Sequence, residues 1–487
     1  MKLTELICNL DYESIRSGKD ADIKDIQFDS RKVTDGSVFV AIKGTASDGH
    51  DYIGAAVKSG AVAVVYDDAS RGGEIDGSVT AILVKDSSIA LARLASDYFG
   101  NPSQKVTLVG VTGTNGKTTT ATLLYQMFRK LGHKAGLLST VINYIDDEAV
   151  EATHTTPDPL ELNGLLAKMV ERGCEYVFME VSSHSVVQNR IAYLDFDGAL
   201  FTNITRDHID YHGTFDNYLA AKKAFFDGLK KSAFAITNID DKNGLVMLQN
   251  TAAKRMTYST RAMADFRGKI LEESFDGMLI SVNDTEVNVP FIGRFNVYNL
   301  LAVYGAAVEL GVEHLQALTV LSSLKAVSGR FETLHAPKGY TAIVDYAHTP
   351  DALDNVLATI NELRESRREK GTLISIVGCG GNRDKGKRPM MAQSAVRASD
   401  KVIITSDNPR KEDPQAIIDD MLAGLNDEQM KNVIVIADRR QAIKTACMMA
   451  DKGDVILVAG KGHENYQIIG DVKHHFDDHE EIKACFK

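Results

Sequence analysis

The sequence predicts an α/β protein of three domains, with mostly parallel sheets in the second and third. Three observations support this fold class. The chain has 487 residues, more than one hydrophobic core usually holds. Residues 106–131 read as a buried strand, a glycine-rich turn and a helix. From residue 331 onward, short apolar runs alternate with helix-like segments, as in a doubly wound sheet.

Residues 1–101 are predicted to form a small α/β domain. Strand-like runs at 37–42 and 61–66 flank a turn rich in glycine and aspartate and a helix-like segment. A polar turn at 29–31 precedes the first run, and most such turns have no further role. The Asn-Pro-Ser sequence at 101–103 is the first candidate linker, so the domain is predicted to end at residue 101.

The segment 106–120 (VTLVGVTGTNGKTTT) has the architecture of a phosphate-binding loop. In such a loop, backbone N–H groups at a helix start hold phosphate oxygens, Lys117 contacts the terminal phosphates, and the Thr118 hydroxyl can ligate Mg²⁺. The strict pattern asks for glycine five residues before Gly116, where Val111 stands. The alternative is an ordinary turn with a surface lysine. The loop predicts a nucleoside triphosphate site in a central domain of residues 102–330.

Two strands predicted after this loop end in polar side chains. Glu180 closes one of them, and His208 and His212 follow the other. Ligands of α/β proteins lie at the carboxyl ends of strands, so these residues are candidates for metal and phosphate binding. Each alone would more often be a satisfied surface residue. The segment 155–158 (TTPD) is either a helix start or part of a ligand site, and the sequence leaves both open.

Lys222 falls on the apolar stripe of the helix predicted over 215–229, whereas Lys223 turns away from its centre. One interpretation is that its apolar stem is buried while its ammonium group extends to solvent. The other is a lysine that faces a site, where burial lowers its pKa. A neutral amine can bind substrate or react with CO₂ to give an anionic carbamate, whose oxygens suit Mg²⁺.

The domain predicted over residues 331–487 has polar clusters at the ends of its five strands. Parallel strands place these clusters along one edge of the sheet, where they predict a ligand crevice. Arg383 and Arg410 can bind carboxylates, while Asp407 and Glu464 can bind ammonium groups. A crevice with both signs of charge suits a zwitterionic amino acid. The glycines at 378–381 do not form a dinucleotide-binding pattern.

Composition excludes several classes of function. The formal net charge of −11 argues against a nucleic-acid partner, and no apolar run is long enough for a membrane span. The first ten residues lack the pattern of an export signal, so a cytoplasmic protein is expected. The five cysteines are scattered without a CxxC pair, which predicts free thiols and no zinc site. A monomer with small-molecule substrates is expected.

The chain resembles the Mur ligase family, and within it the MurE type that adds the third residue of the peptidoglycan stem peptide. The resemblance is strongest from about residue 105 and weaker before it. The motifs that carry it occur in this order: GTNGKTTT, TTPD, EVSSHSVVQNR, DYHGTF, AAKKAFF, NVYNLLAV, GRFE, DYAHTPD, GCGGNRDKGKRP, DNPRKEDP and GKGHE. The resemblance implies a UDP-binding N-terminal domain, a central ATPase domain and a Rossmann-like C-terminal domain that binds the amino acid.

In that family, ATP phosphorylates the D-glutamate carboxylate of UDP-N-acetylmuramoyl-L-alanyl-D-glutamate. An amine then attacks the acyl phosphate, giving an amide, ADP and phosphate. Such chemistry mainly requires positioning and charge neutralisation. The resemblance therefore implies an ADP-forming ligase of cell-wall synthesis, needed for cell shape and division, that uses ATP and Mg²⁺.

The resemblance also implies roles for individual residues. Catalytic roles fall on Lys117, Lys222, Glu180 and His208. ATP is expected to contact Gly113, Thr114, Asn115, Gly116, Lys117, Thr118, Thr119, Asn299, Arg330 and Asp345. Magnesium is assigned to Thr118, Glu180, Lys222 as a carbamate, and His212. The UDP-linked substrate is assigned to Ser30, Thr45, Ala46, Ser47, Thr155, Thr156, Ser182, Gln188 and Arg190.

The incoming amino acid is assigned to Arg383, Asp407, Asn408, Pro409, Arg410, Gly460 and Glu464. In the family, the sequence DNPR at 407–410 resembles enzymes that add meso-diaminopimelate. The far end of diaminopimelate carries a carboxylate, which Arg383 and Arg410 can bind, and an ammonium group for Glu464. L-lysine lacks that carboxylate, and an arginine buried without a partner is costly.

Three other interpretations stay open at this point. A sister ligase that adds glutamates to folate would not need DNPR and GKGHE. A P-loop switch or transporter ATPase would hydrolyse ATP without an amino acid, and its two additional domains would be unexplained. A catalytically silent scaffold is disfavoured by the presence of Lys117, Glu180, Lys222 and His212.

Overall fold

The computed structural model describes residues 1–16, 18, 20–44, 47–367 and 370–486. Within these residues, strands form sheets of five, eleven and six members and a separate hairpin. The three sheets follow one another along the chain, and each has an apolar core on both faces. The predicted boundaries at residues 101 and 330 stay predictions.

The first sheet has the order β1-β5-β4-β3-β2, with β1 antiparallel to β5 and the other pairs parallel. The predicted runs at 37–42 and 61–66 correspond to β3 and β4. The elements are α1 (Leu3–Leu6), β1 (Ser14–Arg16), β2 (Asp25–Gln27), β3 (Ser37–Val40), α2 (Ile53–Lys58), β4 (Ala61–Tyr66), β5 (Thr80–Leu83) and α3 (Ser87–Tyr98), with 3₁₀ turns at Ser30–Lys32, Gly49–Tyr52, Ala69–Glu74 and Pro102–Lys105.

The second sheet carries the phosphate loop at its centre. Its strands are β6 (Thr107–Thr112), β7 (Ala135–Leu138), β8 (Ile142–Ile145), β9 (Glu148–Glu151), β10 (Tyr176–Glu180), β11 (Gly198–Phe201), β12 (Phe234–Asn238), β13 (Lys254–Ser259), β14 (Phe266–Ser274), β15 (Gly277–Val282) and β16 (Thr285–Val289). Its helices are α4 (Lys117–Lys130), α5 (Pro159–Glu171), α6 (Ser183–Val187), α7 (Ile209–His212), α8 (Phe215–Asp227), α9 (Gly244–Met247), α10 (Arg294–Glu309) and α11 (His314–Leu321).

Strand order explains why chemistry collects around β6. The order is β16-β15-β14-β13-β12-β11-β6-β10-β7-β8-β9, and the strands from β14 to β7 are parallel. Because β6 pairs with both β10 and β11, Glu180 lies opposite Val111 and Phe201 opposite Thr112. Residues that follow β10 and β11 therefore flank the phosphate loop.

The third sheet has the order β17-β18-β22-β19-β20-β21, parallel except for β17. The predicted strands and the helix over 350–365 are present. The elements are β17 (Glu332–His335), β18 (Thr341–Asp345), α12 (Pro350–Glu365), β19 (Leu373–Cys379), α13 (Lys387–Ala398), β20 (Lys401–Ser406), α14 (Pro414–Leu422), α15 (Asp427–Met430), β21 (Val433–Val435), α16 (Arg439–Met449), β22 (Val455–Ala459), the hairpin β23 (Tyr466–Ile469) and β24 (Val472–His475), and α17 (Asp478–Ala484).

Candidate active site

The phosphate loop connects β6 to α4, as predicted. Its backbone is held by two lysines: Lys117 Nζ donates to the carbonyl oxygens of Gly113 and Thr114, both at 2.9 Å. Lys222 Nζ donates to the same Gly113 oxygen at 2.8 Å. Thr118 and Thr119 lie buried in the first turn of α4. Two lysine side chains thus meet at the mouth of the loop, whose backbone is suited to a polyphosphate.

The loop is braced by residues after β11 that the sequence analysis missed. Thr202 Oγ1 donates to the carbonyl oxygen of Asn115 at 2.6 Å, and Asn203 Oδ1 accepts from the Asn115 N–H at 3.0 Å. A Cβ on Gly113 would lie 1.9 Å from Thr202 Oγ1. Glycine is therefore required at 113, since the brace fills the space of a side chain.

The candidate nucleotide residues meet from three elements. Asn299 on α10 lies beside the loop, because a Cβ on Gly116 would be 2.5 Å from Asn299 Oδ1. Arg330 Nη2 lies 3.3 Å from Thr118 Oγ1, and its guanidinium stacks 4.6 Å from the ring centroid of Tyr346. Asp345 at the end of β18 accepts from two backbone N–H groups. Arg330 thus joins the phosphate loop to the edge of the third sheet.

Lys222 is buried, with 1% of its surface exposed, among the apolar residues of α8. Burial, and then the positive charge of Lys117, hold the pKa of Lys222 well below its ordinary value. Lys223 is instead partly exposed and pairs with Asp227 at 2.6 Å. The prediction that Lys222 faces inward is confirmed by this burial, and a neutral amine is favoured there.

The residues assigned to Mg²⁺ surround the two lysines. Glu180 is buried at the end of β10, where Oε1 accepts from the backbone N–H and hydroxyl of Thr140. His212 is buried and bonds Ser183 Oγ at 2.9 Å, while His208 is half-exposed and pairs with Asp207. In the described part of the chain, no three His, Cys, Asp or Glu side chains cluster at metal distance. A cation here would take much of its coordination from substrate oxygens and water.

The residues assigned to the muramoyl-dipeptide form one hydrogen-bonded cluster. Arg190 donates to the carbonyl oxygen of Thr156 at 2.8 Å and to Gln188 Oε1. Thr156 Oγ1 donates to the Glu180 carbonyl at 2.9 Å and accepts from the N–H of Ser182. Thr155 accepts a hydrogen bond from Thr140. The cluster thus lies next to the carboxylate of the phosphate site.

The TTPD segment is a helix start at its last two residues, and the ligand role of its two threonines stays a prediction. Asp158 caps α5 by accepting from the N–H groups of Leu160 and Glu161, and Pro159 begins the helix. Thr155 and Thr156 lie outside the helix, in the hydrogen-bonded cluster. The cap orients the threonines that precede it.

The residues assigned to the uridine nucleotide lie on the first sheet's loops. Ser30 begins a 3₁₀ turn capped by Asp29, whose pKa the Arg31 side chain lowers to about 2. Ser47 is exposed, and its carbonyl accepts from the N–H of Gly44. Thr45 and Ala46 lie outside the described residues. The structure contains no contact that joins Ser30 to Ser47 within the described chain.

The assigned amino-acid crevice lies at the carboxyl ends of β20 and β22. Asn408 Nδ2 donates to Glu464 Oε2 at 2.7 Å. Gly460 lies close to Asp407, because a Cβ added to Gly460 would be 3.2 Å from Asp407 Oδ2. Arg410 Nη1 donates to the Gly381 carbonyl at 2.8 Å. Arg383 is exposed at the rim, and Pro409 is buried. The DNPR and GKGHE segments therefore meet at one place.

Both acids of the crevice have an internal cation that the sequence analysis missed. Lys461 Nζ lies 3.4 Å from Asp407 Oδ1 and 3.4 Å from Glu464 Oε2. Burial, and then the charge of Asp407, raise the pKa of Glu464. Neither acid is therefore a free anion. Glu464 is three residues from Lys461, but Asp407 and Asn408 come from a distant segment, so the sequence alone does not show that Lys461 joins them.

Taken together, a braced phosphate loop and a second, amphoteric crevice define a P-loop enzyme with a nucleotide site and an amino-acid site. Three family models match the chain: the Mur ligase family catalytic domain at 22–99, the Mur ligase middle domain at 111–307 and the Mur ligase glutamate ligase domain at 329–462. The chain belongs to the Mur ligase family. The predicted three-domain α/β fold and the predicted family are confirmed.

Relatives at high identity share one name, UDP-N-acetylmuramoyl-L-alanyl-D-glutamate--2,6-diaminopimelate ligase. The protein of that name from Parabacteroides distasonis is 61% identical over 486 residues, covering 100% of this chain and 99% of the relative. The one from Phocaeicola vulgatus is 60% identical with the same coverage. A solved structure with that name is 31% identical, with a TM-score of 0.68 over 100% of this chain and 98% of that one.

A solved folylpolyglutamate synthase from Mycobacterium tuberculosis, complexed with ADP, has the same fold. It is 15% identical, with a TM-score of 0.61 over 77% of this chain and 92% of that one. This similarity shows the fold alone. In the described residues, no helix is long and apolar enough to cross a bilayer.

Proposed function

We propose that this protein is an ATP-dependent, ADP-forming ligase that joins meso-diaminopimelate to UDP-N-acetylmuramoyl-L-alanyl-D-glutamate in peptidoglycan precursor synthesis. The observation that carries the proposal is the link between two sites. Arg330 contacts Thr118 of the phosphate loop and stacks on Tyr346, whose ring packs against His463 of the segment that holds Glu464. Both substrates can therefore meet beside one nucleotide.

ATP is bound by the backbone of the loop and by Lys117. The γ-phosphoryl group passes to the D-glutamate side-chain carboxylate, so an oxygen–phosphorus bond forms and the bond to ADP breaks. Lys117 stabilises the charge that spreads over the transferred group. Thr156 and Arg190 hold the dipeptide close to Glu180, at the end of β10. Burial lowers the pKa of Lys117, which marks a site with little water.

The amine of diaminopimelate, as a free base, attacks the carbonyl carbon of the acyl phosphate. The tetrahedral intermediate expels phosphate, and the nitrogen loses its remaining surplus proton as the amide forms. Arg410 and Arg383 bind the far carboxylate of diaminopimelate, and the acidic side of the crevice binds its far ammonium group. Positioning supplies most of the rate enhancement, since the acyl phosphate is already activated.

Magnesium fits this site once Lys222 is modified. Thr118 Oγ and the buried Glu180 carboxylate are oxygen donors of the kind the ion prefers. Lys222 as an ammonium group would repel a cation, whereas its carbamate would attract one. The lowered pKa of Lys222 favours the neutral amine that reacts with CO₂. When bound, Mg²⁺ would neutralise part of the negative charge of the ATP phosphates.

The test is phosphate release from ATP in the presence of UDP-N-acetylmuramoyl-L-alanyl-D-glutamate, compared among meso-diaminopimelate, L-lysine and no amine. Release that requires diaminopimelate is expected. Phosphate release that is faster with L-lysine than with diaminopimelate would support a ligase but contradict the role assigned to Arg410. Release that ignores both substrates would instead favour a plain ATPase.

A further inference from the structure

Lys461 is a fully buried lysine at the centre of the amino-acid crevice, with 0% of its surface exposed. Besides the two carboxylates, Nζ donates to Tyr466 O at 2.6 Å and to Asn408 Oδ1 at 3.1 Å. Its contacts thus join three segments: the loop after β20, the loop after β22 and the start of the hairpin β23–β24. A buried ammonium group needs such partners, because desolvation otherwise disfavours it.

Lys461 also fixes which way the Asn408 amide faces. Lys461 Nζ and the Ile468 N–H, at 2.9 Å, can only donate, so the atom they share must be the oxygen Oδ1. The amide nitrogen is then directed at Glu464 Oε2, 2.7 Å away. Removal of Lys461 would leave the Ile468 N–H as the remaining donor to Oδ1, so the amide would keep its direction but be held less firmly against Glu464.

The charge of the crevice is set by the same contact. Asp407 and Glu464 bring two negative charges, and Lys461 neutralises one of them. Among these three side chains one net negative charge remains for one ammonium group of a ligand, while Arg383 and Arg410 are assigned to its carboxylate. Asp407 Oδ1 is buried and accepts no hydrogen bond from the described residues, although Lys461 is 3.4 Å away. This oxygen is available to a ligand donor.

We propose that Lys461 is a positioning residue that adapts the crevice to a single ammonium group, by neutralising one carboxylate and orienting Asn408 and Glu464. This inference rests on the proposed function, since the ammonium group is that of diaminopimelate. Lys461 itself does not contact the reacting atoms. It acts through the acids and the amide that it holds.

The test compares Lys461→Met with Lys444→Met, which removes the same charge at an exposed position of α16. In Lys461→Met, we expect the KM for diaminopimelate to rise about 10- to 100-fold, because one partner of a buried charge pair is lost. The KM values for ATP and for the UDP-linked substrate should stay near those of the wild type. Lys444→Met should match the wild type in all three.

A second variant, Lys461→Met/Asp407→Asn, restores one net negative charge among these side chains and leaves one buried carboxylate without a cation, where Lys461→Met leaves two. It should be the more stable of the two variants, and its KM for diaminopimelate should fall part of the way back, because asparagine keeps an acceptor oxygen at position 407. An unchanged KM in Lys461→Met, an equal rise of all three KM values, or no recovery in the double variant would overturn the inference. A wild type without diaminopimelate-dependent release would instead overturn the proposed function.

Discussion

At the scale of single residues, the most unusual groups are two lysines that share one carbonyl oxygen. Lys117 and Lys222 both donate to Gly113 O, at 2.9 and 2.8 Å. Like charges this close disfavour each other in a buried site, so at least one is pushed toward its neutral form. Lys222 is more deeply buried than Lys117, and its pKa is lowered well below the ordinary value of a lysine.

Replacement of Lys222 by alanine is expected to lower kcat by about 100-fold, since the anionic group that its carbamate would offer to Mg²⁺ is lost. Excess acetate should restore part of the activity of Lys222→Ala, because it can occupy the space of a carbamate. Lys223→Ala, one residue away and partly exposed, is the control and should behave as the wild type. A lack of rescue by acetate would count against an anionic group at 222.

Arg410 is the residue to which we assign the discrimination between diaminopimelate and lysine. One of its nitrogens is bound to Gly381 O, which aims the rest of the guanidinium into the crevice. In Arg410→Lys, we expect kcat/KM for diaminopimelate to fall about 10- to 100-fold through the loss of a bidentate charged contact. Activity with L-lysine should not fall. Lys411→Ala is the matched control, and equal losses for both amino acids would contradict the assigned role.

At the scale of elements, the phosphate loop between β6 and α4 is flanked by site residues because β6 pairs with β10 on one side and with β11 on the other. β10 delivers Glu180 and β11 delivers Thr202 to the two sides of the loop. Gly110, in the middle of β6, leaves room for Phe225 of α8, since a Cβ would lie 2.5 Å from that ring. The helix that carries Lys222 can therefore pack closely against the strand.

Two glycine variants separate steric crowding from backbone strain in this unit. Gly113→Ala would place a methyl group 1.9 Å from Thr202 Oγ1, so the brace must move. The KM for ATP should rise about tenfold or more, as the loop loses its geometry. Gly132→Ala, at the end of α4, also has positive φ but meets no atom within 4 Å. It should lower stability by about 1 kcal/mol and leave the KM for ATP unchanged. Thermal unfolding and initial rates measure both effects.

At the scale of the whole molecule, the sequence predicts the buried parallel strands well. Runs such as 341–346 and 401–406 are continuous and apolar because both faces are covered. The strands β14, β15 and β16 were not identified, since they alternate between buried and exposed residues and are joined by short polar turns. The order of the strands within each sheet cannot be predicted from local sequence patterns either, because it depends on which distant segments pair.

The residues of the candidate site also fall into two groups, those that a local motif identifies and those that only the tertiary structure brings together. Gly113 to Thr119 are contiguous, so one motif is enough to find them. Thr202, Asn203 and Lys461 become part of the site only when distant strands meet, and their spacing carries no signal. Lys222 was found for a different reason: a charge on an apolar helix stripe is visible without tertiary structure. Residues that brace other residues are those that sequence analysis misses.

The contact region between the phosphate loop and the third sheet gives the whole molecule a predicted sensitivity to acid. His348 and His463 both pack on the Tyr346 ring, with centroids 4.7 and 4.8 Å away. Burial lowers the pKa of His348 to about 4 and that of His463 to about 3. Unfolded histidine has a pKa of about 6.5. Between these values the unfolded chain binds more protons, so stability is full above pH 6.5 and falls as the pH falls.

Each of the two histidines should therefore remove up to about 1.4 kcal/mol of unfolding free energy for each pH unit below 6.5. We expect urea midpoints measured at pH 7.0, 5.5 and 4.5 to fall less steeply in His348→Gln/His463→Gln than in the wild type, because glutamine does not titrate. His474→Gln, on the exposed strand β24, is the control and should keep the wild-type slope. Carboxylates contribute equally to all three proteins and cancel in the comparison. Parallel slopes for the double variant and the wild type would show that the two imidazoles do not stay neutral in the folded protein.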